Sequence, residues 1–136
     1  MTTENNKIIA EFMGVKQDLE SGNYRLPHHS GKDVVNPLTQ GRNYDEWADR
    51  YTDENYNTGY LLPLEYLQYN TSFDWLMEVV EKIESLGYSY STHLSGDVRV
   101  VTFRSIIDYN SIRGSLKETT YNACLEFIKY YNEQTR

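Results

Sequence analysis

Tyr88-Ser89-Tyr90-Ser91-Thr92-His93-Leu94-Ser95-Gly96-Asp97-Val98-Arg99-Val100-Val101-Thr102-Phe103 is the stretch that decides the fold. Large and small side chains alternate with period two over Tyr88–Thr92, the spacing of a strand with one buried face. Ser95-Gly96-Asp97 is turn chemistry, and Val98–Phe103 is rich in β-branched residues, so an antiparallel hairpin over 88–103 follows. A hairpin alone is marginal in water. A third strand is therefore expected, either from residues 104–109 or from the polar stretch at about 15–60.

Amphipathic helices flank the hairpin on both sides. Before it, Trp75, Leu76, Val79, Val80, Ile83 and Leu86 recur at helical spacing, with Glu78, Glu81, Lys82, Glu84 and Ser85 on the opposite side. Thr71 is expected to cap this helix near Asp74, and Gly87 to end it. After the hairpin, Ser115 and Glu118 form a capping box ahead of Ala123, Cys124, Phe127, Ile128 and Tyr131. A shorter helix is expected over residues 5–13, with Ile8, Ile9, Phe12 and Met13 on one face and Gly14 as its left-handed end. The fold class is α+β: a small antiparallel sheet centred on the hairpin, packed by two or three amphipathic helices in an α-β-α sandwich-like, single-domain arrangement.

Between Val15 and Tyr60 the chemistry changes. Gly22, Gly31, Gly41 and Gly59 recur, Pro27 and Pro37 interrupt helices, and aliphatic residues are few. This reads as a long polar excursion at about 15–60, with one helical island over Asn43–Tyr51, where Tyr44, Trp47, Ala48 and Tyr51 share a face. Leu61-Leu62-Pro63-Leu64 re-enters the core as an extended or turn segment.

The whole sequence carries a formal net charge of −7. Residues 43–81 hold nine acids against one base, Arg50. Phosphate backbones demand clustered Lys and Arg, so nonspecific nucleic-acid binding is disfavoured. The acidic stretch reads as a solvated, self-repelling surface, with a patch for a basic partner as the alternative. No run of about 18 apolar residues exists to span a membrane. One cysteine and no basic-apolar leader favour a reducing, cytoplasmic setting.

No motif for phosphate-loop, dinucleotide, nucleophile-elbow or zinc-protease chemistry is present. His28-His29 point to opposite sides of an extended segment and read as a surface pair rather than metal ligands. Cys124 falls on an apolar helix face and reads as a core residue. Glu78, Glu81 and Glu84 read as a solvent face. No catalytic residue, metal site or cofactor is therefore assigned. The unusual feature is aromatic: among 13 tyrosines and two tryptophans, Tyr44, Trp47, Tyr51, Tyr56 and Tyr60 populate the excursion. Tyrosine gives contact area at low entropic cost with a polar tip, which suits a binding surface, although such rings also pin polar loops to a core. His93, Arg99 and Arg104, on and beside the hairpin, form a candidate phosphate-binding group; strand arginines facing water are the alternative. The candidate binding residues are thus Tyr44, Trp47, Tyr51, Tyr56, His93, Arg99 and Arg104.

Three segments also resemble a known group. They are Asn6-Lys7-Ile8-Ile9-Ala10-Glu11-Phe12-Met13-Gly14, Ser72-Phe73-Asp74-Trp75-Leu76-Met77-Glu78-Val79-Val80-Glu81-Lys82-Ile83-Glu84-Ser85-Leu86-Gly87, and Tyr121-Asn122-Ala123-Cys124-Leu125-Glu126-Phe127-Ile128-Lys129-Tyr130-Tyr131-Asn132-Glu133. Together they resemble small uncharacterised proteins of phages, prophages and Bacteroidetes-type genomes, and more widely phage proteins with an α-β-α sandwich domain. The likeness covers well under half the chain, at its two ends. It implies a phage-related accessory role and supplies no catalytic residues. Function is therefore expected to be non-enzymatic binding of a host or phage partner in the bacterial cytoplasm. The alternatives are a small-ligand binder that sequesters a nucleotide signal of host defence, and a metal-dependent hydrolase or nuclease with scattered carboxylates. Exposed aromatics make a homodimer a further expectation.

Overall fold

The structure is a computed structural model that describes residues 2–27, 49–52, 54, 56, 58–104 and 106–135. The chain divides into two compact units, Met1–Gln68 and Tyr69–Arg136. Each has its own three-stranded antiparallel sheet, and the α+β class holds.

In the first unit, α1 spans Thr2–Phe12 and buries Asn6, Ile9 and Ala10. It ends as expected at Gly14, whose φ of +75° is open to glycine at no steric cost. The Asn6 side chain donates to the Leu67 carbonyl at 3.0 Å. That bond ties α1 to the chain just after a short 3₁₀ turn, Leu64–Tyr66, which follows Pro63. Strands β1 (Tyr24–Pro27), β2 (Asp49–Thr52) and β3 (Thr58–Leu62) form a sheet in the order β1-β3-β2. Tyr24 pairs with Leu62 and Leu26 with Tyr60. All four are buried, so this row is the core face of the sheet.

Two expectations are corrected here. The polar excursion is not loop throughout, because it supplies β1, β2 and the first part of β3, which runs on into the expected extended segment at Leu61-Leu62. The helical island over Asn43–Tyr51 does not extend through its C-terminal end, since Asp49, Arg50 and Tyr51 lie in β2; residues 43–48 fall outside the described residues. Pairing with β3 satisfies the backbone groups of β2 that face it, and Tyr51 sits opposite Gly59. The helical spacing of the aromatics therefore loses to pairing with the next strand, where the cross-strand partner of Tyr51 is Gly59.

In the second unit, α2 (Phe73–Ser85) is followed by β4 (Tyr90–Ser95), β5 (Val98–Phe103) and β6 (Ile107–Ile112), and then by α3 (Leu116–Gln134). The strands form a meander in the order β4-β5-β6. The hairpin and its third strand stand where the sequence places them, with β6 running slightly beyond residue 109. Gly96 alone of the two central turn residues has positive φ, +59°, the pattern of a type II′ turn. Helix α3 lies on β5 and β6, and α2 packs beside α3 and β4. The stripe Trp75, Leu76, Val79, Val80 and Ile83 is buried on α2, and Ala123, Cys124, Phe127 and Ile128 on α3. Each such side chain removed from water stabilises the fold by roughly 1.5–3 kcal/mol for the larger residues.

The caps differ in outcome. At α3 the Ser115 hydroxyl accepts from the Glu118 N–H at 3.0 Å, as the capping box requires. At α2 the cap position is Ser72 rather than Thr71, and no side chain caps it. The Thr71 carbonyl instead accepts from Lys117 Nζ at 3.1 Å. Gly87 ends α2 with φ of +99°. Among the described residues, no helix is long and apolar enough to cross a membrane.

Candidate binding surface

The second face of the first sheet is built around Gly59. It pairs with Tyr51 on one side and Pro27 on the other, and the Tyr51 ring lies directly over it. A Cβ at residue 59 would come within 2.8 Å of Tyr51 Cε1. Glycine is therefore what lets an aromatic ring approach the strand backbone this closely. The Arg25 guanidinium sits over the same ring, 5.2 Å from its centroid, as a cation–π contact. Arg25 Nη2 also donates to Asp18 Oδ1 at 2.9 Å.

Asp18 is held by a tight turn. Its Oδ2 accepts from the Ser21 N–H at 3.0 Å and from the Ser21 hydroxyl at 2.8 Å. The Gly22 N–H donates to the Asp18 carbonyl at 2.7 Å, and Gly22 has φ of +78°. This is an Asx-type turn closed by glycine. The Arg25 hydrogen bond, then those from the Ser21 side chain and backbone, hold the Asp18 carboxyl at about 2, below its usual 3.8. Asp18 therefore remains charged, and Arg25 paired, across the physiological range. Tyr51 is half-buried in this stack, whereas Tyr56, with φ of +63°, is 88% exposed between β2 and β3.

Of the other expected binding residues, Tyr44 and Trp47 lie outside the described residues, as do His28 and His29. His93, Arg99 and Arg104 are not brought together. His93 shares a row with Val100 and Asn110, while Arg99 shares the adjacent row with Leu94 and Ser111. Adjacent rows of a pleated sheet face opposite ways. Arg99 Nε donates to the Gly114 carbonyl at 3.2 Å, on the side that faces α3. Arg104 lies past the end of β5 and donates from Nη1 to the Gly87 carbonyl at 2.9 Å. These arginines serve loop and helix ends, so the phosphate-binding group expected from the sequence is not assembled by the fold.

Among the described residues, no group of three or more His, Cys, Asp and Glu side chains is placed to hold a metal ion. Glu81 and Glu84 are exposed and Glu78 is half-buried along α2. Burial pushes the Tyr121 hydroxyl up to about 12. Burial, followed by the Glu78 charge, raises that of Tyr69 further. Cys124 is fully buried on α3, and burial drives its thiol far above the range of a nucleophile. A thiol-reactive dye is therefore expected to leave the native protein unlabelled and to titrate one cysteine in denaturant. Rapid labelling without denaturant would contradict this placement.

The residues that the sequence reading missed are Arg25, Asp18 and Gly59. A local signal existed for Asp18, because Asp18-Leu19-Glu20-Ser21-Gly22 is a turn sequence leading into Asn23-Tyr24-Arg25-Leu26. Comparison with protein-family models, with curated proteins and with solved structures finds no match for the chain.

Proposed function

We propose that this chain is a non-enzymatic binding protein that engages a protein partner through the tyrosine surface of its first unit. The observation that carries the reading is Tyr56, a large aromatic side chain left 88% exposed beside the strands that hold Tyr51 and Arg25. Tyrosine and arginine are the side chains that most often anchor protein interfaces, and an ordered arginine on an aromatic ring loses little entropy on contact. The resemblance of the two chain ends to phage and prophage proteins supports an accessory role in the bacterial cytoplasm, with a host or phage protein as the partner. The nucleotide-sequestering alternative draws less support, because His93 and Arg99 face opposite sides of the second sheet.

Affinity capture from a bacterial extract tests this reading. Tyr56→Ala removes an exposed ring and leaves the core intact, so its thermal midpoint is expected to match the parent. Capture of the partner is expected to fall by tenfold or more, the scale of an interface anchor worth about 2 kcal/mol. Undiminished capture by a folded Tyr56→Ala variant would remove the proposed surface from consideration.

A further inference from the structure

We infer that β4 is a self-association edge, through which a second copy of this chain extends the β4-β5-β6 sheet by antiparallel pairing. The hydrogen-bond parity of the hairpin points to it. The Arg104 N–H donates to the Ser89 carbonyl at 3.0 Å, one step beyond the Tyr90↔Phe103 pair. Bonded and non-bonded pairs alternate along an antiparallel ladder. Ser91, His93 and Ser95 are therefore the residues bonded to β5. The β5–β6 ladder gives the same parity from the other side. The Arg113 N–H donates to the Asp97 carbonyl at 2.7 Å, so Arg99, Val101 and Phe103 are bonded to β6. That leaves Val98, Val100 and Thr102 for β4. Tyr90, Thr92 and Leu94 consequently turn their N–H and C=O groups to the outer edge, where no strand lies among the described residues.

Such an edge is a template for another strand unless charge, proline or a cover blocks it. Two of the other edge strands are guarded: β1 by the Lys16–Gln17 segment, through the Gln17–Tyr24 bridge and the Arg25 N–H bond to the Lys16 carbonyl at 2.8 Å, and β6 by the charge of Asp108. Strand β4, Tyr90-Ser91-Thr92-His93-Leu94-Ser95, contains no Asp, Glu, Lys, Arg or Pro, and residues 91–95 are exposed.

The occupant that fits is the same strand from a second copy. An isologous twofold axis beside Thr92 sets Thr92 opposite Thr92 of the second copy, and Tyr90 opposite its Leu94. In that register every outward N–H and C=O of the three residues meets a partner. It also covers Leu94, which is 58% exposed on the helix-bearing side of the sheet. Its neighbour becomes the second copy's Tyr90, a ring already steadied by its hydroxyl bond to Thr120 at 2.9 Å. Aromatic–aliphatic and Thr–Thr cross-strand pairs are both favourable. A strand this short buries less than the roughly 1,200 Å² of a standard interface. The association is therefore weak, on the order of 10–100 μM.

Sedimentation of the full chain over a dilution series tests the inference, together with two substitutions. Thr92→Pro removes an outward N–H and no bond to β5, a position where proline is tolerated in an edge strand. Leu94→Lys places a charge on the exposed edge. A reversible monomer–dimer equilibrium is expected for the parent, weakened about tenfold or more in both variants. Amide exchange at Thr92 and Leu94 is expected to slow as parent concentration rises. Should Thr92→Pro disturb the fold, Leu94→Lys still decides the matter. A strictly monomeric parent, or a dimer that Leu94→Lys leaves unchanged, overturns the assignment. So does a monomer that takes up an unrelated extended peptide at this edge.

Discussion

Phe127→Ala is expected to destabilise the second unit by about 3–5 kcal/mol, the range for removing a buried aromatic ring and leaving its cavity. Phe127 is fully buried on α3 and lies at the centre of the aromatic packing. Its ring centroid is 4.9 Å from Tyr88, 5.8 Å from Phe103, 6.0 Å from Tyr131 and 6.4 Å from Tyr130. These partners come from the start of the hairpin, from β5 and from α3 itself. One ring thus joins the sheet to the helix that covers it. Loss of the side chain removes contacts from all of them at once, and large rings cannot collapse into the void without leaving their rotamers. Urea unfolding followed by Trp75 fluorescence, in a Trp47→Phe background, measures the effect on this unit. Trp75 is fully buried and meets Tyr69 edge-on at 5.1 Å, so its emission reports local packing. A loss below about 1 kcal/mol is the scale of a surface change and would contradict this central role. Phe127→Leu keeps much of the volume and is expected to cost less.

The contrast between the units explains what the sequence discloses. In the second unit the signals are local. The turn at Gly96, the Ser115–Glu118 cap, the stop at Gly87 and two long apolar stripes each act within a few residues. Each is visible without knowing its distant partner. Even the failure of the phosphate-binding group is legible there. A two-residue turn at Gly96-Asp97 pairs Leu94 with Arg99 and His93 with Val100, which sends His93 and Arg99 to opposite faces. In the first unit the strands are four or five residues long, too short for alternation to stand out. What joins β1 to the other two is nonlocal: the pairs Tyr24–Leu62 and Leu26–Tyr60, and Arg25 on the Tyr51 ring. Tyr51 fits a helical stripe with Tyr44 and Trp47 just as well as a strand, and only the partner across the sheet decides between them. The tyrosine richness of 15–60 was readable as a composition, but its division into covered and exposed rings was not. Tyr51 contributes to the fold as well as to the surface, while Tyr56 is free of that structural duty and so carries the functional test.

Gly59→Ala is expected to disrupt the first sheet, with a loss of about 3 kcal/mol or more. Two obstacles meet the added methyl group. Its carbon would lie 2.1 Å from the Leu26 carbonyl oxygen and 2.8–2.9 Å from the Tyr51 ring. The second obstacle is the side of a movable ring. The first is backbone of the neighbouring strand, which moves only by pulling β1 away from β3 and with it the buried pairs Tyr24–Leu62 and Leu26–Tyr60. A double-mutant cycle with Tyr51→Ala separates the two. Removing the ring is expected to recover only the part of the loss that the ring causes, leaving the clash with Leu26 in place. Full recovery in the double variant would mean that the strands are not held as closely as the pairing implies. Hydrogen exchange of peptides covering 24–27 and 58–62 gives the local readout, since those amides lose their ladder partners when β1 and β3 separate. Because the same glycine admits the ring on which Arg25 rests, Gly59→Ala is also expected to release the Arg25–Tyr51 contact. Protection lost in β1 and β3 together with weakened partner capture would link the proposed binding surface to the sheet beneath it.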